Sequence, residues 1–152
     1  MTNQFIIRKG ESKDVETLAD FNCRMAEETE GKMLNWETVL AGTINLVNYP
    51  KKGFYLVAET QNLLAGSLMI TTEWSDWRNK FFYWIQSVYV RPEHRKKGVY
   101  RGLYNYLLDF ARRKKTVAGI RLYVEKNNTG AKQTYESLGM HDPGYDMYEV
   151  LI

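Results

Sequence analysis

Residues 81–90 read Phe-Phe-Tyr-Trp-Ile-Gln-Ser-Val-Tyr-Val, and only Gln86 and Ser87 lack an aromatic or β-branched apolar side chain. Such residues suit a pleated sheet, and a run without polar alternation suits a strand covered on both faces. The run is too rich in these types for a surface helix, and Pro92 stops it. A central strand of this kind needs layers on both sides, so the rest of the chain must supply helices to cover it.

The flanking sequence supplies them. Residues 4–8 alternate weakly and predict a first strand. Ser12 is the expected N-cap of a helix carrying Val15, Leu18, Ala19 and Cys23 on one face, with Gly31 as its stop. Asn35 is the expected cap of a second helix reaching about Val47. Residues 54–60 and 63–72 predict a hairpin around Gln61-Asn62, and residues 73–78, with two tryptophans, a loop. Residues 98–115 predict the best-patterned helix, with Leu103, Leu107 and Ala111 on one stripe. A strand over residues 120–125, a helix from Thr129 closed by Gly139, and a last strand over residues 145–152 complete the order βααβββαβαβ. This order predicts a mixed α/β sheet with helices on both faces, in one domain spanning residues 1–152.

A 152-residue chain with 44% hydrophobic residues can bury a core without covalent staples. Its single cysteine excludes an intramolecular disulfide, and one Cys with two His gives no basis for a zinc site, so no metal is expected. Cysteine usage makes the cytoplasm the default compartment. No stretch approaches 18 consecutive apolar residues, so no membrane association is expected.

The net charge of +3 is unevenly distributed. Residues 91–115 hold nine basic and two acidic side chains, whereas residues 10–37 hold eight acidic and three basic ones. The basic part is a loop, Arg95-Lys96-Lys97-Gly98, placed between the apolar strand and the long helix. The first N–H groups of a helix lack internal partners and lie at the positive end of its dipole, an arrangement that binds phosphate. Taken alone, the loop fits a solvated basic turn as well. Its place after a buried strand favours a pyrophosphate. The spacing matches neither Gly-x-x-x-x-Gly-Lys-Ser/Thr nor Gly-x-Gly-x-x-Gly. A nucleic-acid partner is not expected, because the basic residues gather at one helix entrance and its far end.

The chain resembles the GCN5-related N-acetyltransferase (GNAT) superfamily. Residues 85–92, Ile-Gln-Ser-Val-Tyr-Val-Arg-Pro, look like its central strand. Arg95-Lys-Lys-Gly-Val-Tyr100 is similar to its pyrophosphate loop, Arg/Gln-x-x-Gly-x-Gly/Ala, with Tyr100 where Gly or Ala is usual. Residues 122–140 are similar to its later strand–helix segment, in which an Asn precedes a helix carrying Ala, Tyr-Glu and a closing Gly. The resemblance implies an α+β fold with a mixed, mostly antiparallel sheet of six to seven strands. It also implies an acetyl-CoA-dependent N-acyltransferase. In that family direct attack by an amine passes through a tetrahedral intermediate.

Residue by residue, the resemblance implies that Val88, Tyr89 and Val90 would run along the pantetheine arm. The segment Arg95, Lys96, Lys97, Gly98, Val99, Tyr100 and Arg101 would hold the pyrophosphate. Asn128 would contact the pantetheine or its tail. Tyr135 would protonate the departing thiolate, and the Val88 N–H would face the oxyanion. The sheet would splay between the strands flanking the basic helix. The acceptor would be an amine on a small molecule or peptide, with Glu28, Glu30, Trp74 and Trp84 as candidate contacts for a cationic group. No Asp or Glu lies in residues 81–90, which leaves the general base unassigned and a non-catalytic acyl-CoA-binding module as the alternative. Dimers are common in the family, so a homodimer is a further expectation.

Overall fold

The structure, a computed structural model, describes residues 4–152. They form two compact units, one ending at Leu122 and a smaller one, Tyr123–Ile152. The larger holds β1 (Ile6–Lys9), α1 (Val15–Glu30), α2 (Trp36–Asn48), β2 (Phe54–Thr60), β3 (Leu63–Ser75), β4 (Lys80–Val90), α3 (Val99–Arg113) and β5 (Val117–Arg121). The smaller holds α4 (Thr129–Ser137). The five strands make one sheet in sequence order. The β1–β2, β2–β3 and β3–β4 pairs are antiparallel, and β4–β5 is parallel. The mixed, mostly antiparallel character is as expected.

The strand count is a correction: five among the described residues, not six to seven. The expected strand at residues 120–125 lies at Val117–Arg121 instead, because its ladder to β4 ends at the Trp84–Arg121 pair. Residues 145–152 were expected to be a strand and belong to no ladder among the described residues. Their apolar content suits a sheet, but a strand exists only where an edge receives it. The tryptophan loop is also shorter than expected. β3 continues to Ser75, and Trp74 packs edge-to-face on its cross-strand partner Phe81 at 4.9 Å. That aromatic pair extends the ladder and leaves a turn over residues 76–79.

Local signals explain most other boundaries. Asn35 caps α2 by accepting the Thr38 N–H at 2.9 Å. Gln61 and Asn62, both at positive φ, close the β2–β3 hairpin. Gly31 ends α1 in the left-handed conformation. Ser12 does not cap α1; it opens a 3-10 turn, Ser12–Asp14. Asp14 closes that turn by accepting the Glu11 N–H at 2.8 Å.

The β2 strand is central to the packing, with four of its seven residues buried. On one face Tyr55 and Val57 join Leu18 and Phe21 of α1, Leu46 of α2, Leu64 and Tyr89 in a buried cluster. Successive side chains alternate faces. On the opposite face Phe54 meets Phe110 of α3, and Tyr83 of β4 stacks on the same ring. Helices therefore cover both faces, and each fully buried Leu or Phe contributes on the order of 2 kcal/mol. The Arg8 guanidinium donates to both Asp14 oxygens, at 2.7 and 3.0 Å, and to Glu59 at 2.9 Å. This partly buried ion cluster ties β1 and β2 to the start of α1.

Candidate active site

The ladder between β3 and β4 slips at one point. Ser67 faces Tyr89 and Met69 faces Gln86, so Leu68 stands opposite both Ser87 and Val88. Ser87 has φ 51, a left-handed conformation that inserts this extra residue as a bulge. A bulge interrupts the regular ladder and re-aims the backbone groups beside it. On its other side β4 pairs with β5 only over residues 81–84. From Ile85 onward that edge of β4 meets no strand among the described residues. Backbone from Val88 to Val90 thus sits at an edge that an extended ligand could join.

Gly66 makes this geometry fit. A Cβ at Gly66 would lie 2.8 Å from the Tyr89 carbonyl oxygen and 3.1 Å from Val99 at the start of α3. A lone glycine in an apolar strand signals such a close approach, although the sequence does not say to what.

The chain then enters the basic loop through a 3-10 turn, Pro92–His94. Lys96 and Gly98 both take left-handed conformations, at φ 61 and φ 82. The first donor inside α3 is Gly102, whose N–H reaches the Gly98 carbonyl at 2.9 Å. The N–H groups from Gly98 to Arg101 precede it, in the first turn, and point out of the start of the helix. No side chain caps this end, and no acidic residue lies in its first turn. Lys96 and Lys97 are exposed beside it. The donor set is that of an anion site. Tyr100 packs its ring toward Tyr104, one turn along the helix, at 6.3 Å. The side chain is thereby committed to the helix flank.

Arg95 is placed differently from its loop neighbours. Its guanidinium donates to Glu28 at 2.6 Å and to the Val90 carbonyl at 2.9 Å, and it lies 5.5 Å from the Tyr89 ring centroid. The Tyr89 hydroxyl donates to the other Glu28 oxygen at 3.2 Å. Burial raises the Tyr89 phenol above its ordinary pKa, and the Glu28 charge raises it further. One carboxylate at the end of α1 therefore holds β4 and the basic loop together. Sequence gives no sign of this, since 67 residues separate the partners.

The remaining acceptor candidates do not converge. In the unbroken β3–β4 register Trp74 pairs with Phe81, and Trp84 pairs with Thr71. Alternation puts Trp84 on the α1 face with Gln86 and Tyr89, and Trp74 on the α3 face. Glu30 is exposed and pairs with Lys32 at 3.7 Å. Glu73, one of the two acidic residues shortly before β4, is bound to Arg121 at 2.6 Å.

In the smaller unit, Asn128 caps α4 through Oδ1, which accepts the Ala131 N–H at 3.1 Å. Its side-chain amide donors are not used by that cap. Tyr135 lies in the second turn of α4, and burial raises its phenol above the ordinary value of about 10.

The profile of the Acetyltransferase (GNAT) family matches residues 15–140, and the chain belongs to that family. It is similar to the crystal structure of a possible acetyltransferase from Clostridium difficile 630, at 43% identity and a TM-score of 0.92, covering 99% of both chains. A predicted acetyltransferase with acetyl-CoA from Clostridium acetobutylicum shares the fold at 20% identity and a TM-score of 0.78, covering 96% of each chain. The ribosomal-protein-alanine N-acetyltransferase of Brucella melitensis biovar Abortus 2308 does so at 16% identity and 0.78, covering 97% of this chain and 99% of that one. No curated protein matches the sequence. Among the described residues no helix is long and apolar enough to cross a membrane.

Proposed function

We propose that the protein transfers an acetyl group from acetyl-CoA to a primary amine of a small molecule or peptide. The observation that carries this reading is the uncapped, acid-free start of α3 placed directly after the bulged and unladdered edge of β4. A pyrophosphate suits the N–H groups of Gly98 through Arg101 with Lys96 and Lys97, and an amide-bearing extended arm suits the edge from Val88 to Val90. Acetyl-CoA supplies an acyl group already activated as a thioester.

The chain's own residues then do three things. The Val88 N–H, beside the bulge, donates toward the oxygen on which negative charge develops. Tyr135, kept protonated by burial, donates a proton to the sulfur that leaves. Asn128 offers its amide donors to the arm while its oxygen holds α4. The acceptor ammonium must lose a proton before attack, since an amine near pKa ~10 is mostly protonated at neutral pH. Glu73 is held by Arg121, which favours solvent as the sink for that proton.

Melting in the presence of ligand tests the reading. At a hundredfold excess over Kd, CoA or acetyl-CoA should stabilise the chain by about 2.7 kcal/mol. For this size of chain that is a rise in Tm of roughly 5–10 °C. An unmoved curve with both ligands defeats the proposal. Binding without thiol release across a broad amine panel would support the non-catalytic module instead.

A narrower test addresses the loop. No protein atom would meet a Cβ at Gly98, so within the chain it is the φ of 82 that favours glycine there. Gly98→Ala should incur about 1–2 kcal/mol of left-handed strain. The Kd for CoA, measured by calorimetry, should rise by roughly tenfold as the loop relaxes. An unchanged Kd would mean that the Gly98 conformation does not shape the anion site.

A further inference from the structure

A charged cavity lies away from the basic loop. Its volume is about 280 Å³, and it opens between the start of α1, the β2–β3 hairpin and the exit of β4. Thr17, in the first turn of α1, lines it, whereas Glu28 sits in the last turn, about 16 Å along the helix axis.

The charges in this cavity are only partly paired. Arg8, Asp14 and Glu59 hold one another, and both Asp14 oxygens are taken. Two acids against one cation leave that trio with negative charge in excess. Glu59 gives Oε2 to Arg8, and its Oε1 accepts no hydrogen bond among the described residues. Its side chain is only 19% exposed. The same cavity holds Arg91, a cation with no carboxylate partner among the described residues. Its backbone N–H donates to the Ala65 carbonyl at 2.8 Å, and its Nε donates to the Leu64 carbonyl at 2.7 Å. Its guanidinium lies 5.1 Å from the Phe21 ring centroid. These contacts fix the side chain, yet its Nη groups meet no acceptor among the described residues. Lys13, also at the cavity, is exposed and stands 3.8 Å from Glu11.

Partly buried polar groups normally have partners. A guanidinium binds a carboxylate through two parallel bonds, and a carboxylate oxygen accepts from an ammonium. Arg91 and Glu59 form no ion pair with each other, so a ligand that satisfies both carries both charges. Leu63 and Leu64 add an apolar wall. The volume is just under the roughly 300–1,000 Å³ of pockets for drug-sized ligands, which suits a smaller molecule.

We propose that this cavity binds a free α-amino acid with a small apolar side chain. The Arg91 Nη groups hold its carboxylate, Glu59 Oε1 accepts from its ammonium, and its side chain lies against Leu63 and Leu64. The proposal is independent of the acetyl transfer assigned above.

Calorimetry of the full chain without CoA tests it, with leucine as the probe. Leucine should bind with a Kd of about 1 mM or lower. 4-Methylpentanoate lacks the ammonium and 3-methylbutylamine lacks the carboxylate, and each should bind at least about tenfold more weakly. Glu59→Gln keeps an acceptor for Arg8 and removes the charge, and Arg91→Lys keeps the charge and removes the fork. Each should raise the leucine Kd by about tenfold with circular dichroism retained. No leucine binding at about 10 mM, ten times the expected Kd, overturns the proposal. Equal binding of either analogue overturns it as well, and so does an unchanged Kd in either folded variant. If the variants fail to fold, magnetic resonance of the unmodified chain decides. Amides of Asn62, Leu63 and Arg91 should shift together as leucine is added. Shifts confined to the Glu28 end of α1 would place leucine at the acceptor side instead, which also overturns the proposal.

Discussion

Tyr135→Phe should lower kcat by about 100-fold, the lower end of what a positioned general acid contributes. The Kd for CoA should stay within about twofold, because the variant removes one hydroxyl and keeps the ring. The leaving thiolate is the group that needs the proton, so the loss belongs to kcat rather than to cofactor binding. The pH profile carries a second signature. Burial raises the Tyr135 phenol above about 10. An acid must be protonated to act, and a raised pKa extends its protonated range upward. Activity should therefore show no loss assignable to Tyr135 until pH exceeds 10. A variant that keeps most of its kcat would make Tyr135 a packing residue, and the thiolate would have to leave with help from solvent alone.

Asp14→Asn should lower stability by about 3 kcal/mol, the low end for breaking a buried ion pair. Glu59 remains to hold Arg8, which is why the low end applies. For a chain of this length the change corresponds to a fall in Tm of roughly 10 °C. Burial alone would raise the Asp14 pKa. The Arg8 hydrogen bond, the Glu11 N–H and the Arg8 charge outweigh burial and hold it below its ordinary value of 3.8. A carboxyl depressed in the folded state contributes stability above its unfolded pKa and loses it as pH falls through the folded one. The gap between wild type and variant should be full at pH 7 and should close as pH drops below about 4 toward the folded pKa. A gap of equal size at both ends would assign the effect to shape rather than charge.

How much of this was legible depended on distance along the chain. The cap at Asn35, the Gln61-Asn62 turn and the Gly31 stop rest on neighbours within about four residues, and each stands where the sequence puts it. The apolar run of β4 announced a strand with helices on both faces, and the basic loop announced its helix. The bulge at Ser87 was not legible, because a bulge is a mismatch between two strands and neither strand carries it alone. Trp74 and Trp84 looked like partners by type, yet a register set by the hairpin turn puts them on opposite faces. The shift of β5 and the unladdered residues 145–152 have the same origin: where pairing stops is a property of the neighbouring edge.

The Glu28–Arg95 pair bears on how a polyanion reaches the protein. In the sequence the loop offers three adjacent cations, and a count of charge treats them alike. In the folded chain one of them spends its charge on a carboxylate 2.6 Å away, while Lys96 and Lys97 stand exposed. The loop's long-range pull is then close to that of two charges. Salt screens such a pull over about 8 Å at physiological ionic strength. Capture of a diphosphate is thus divided in space. Lysine charge governs the rate of encounter, which falls as salt rises, whereas the fixed N–H groups of α3 govern how long the ligand stays, which salt touches far less.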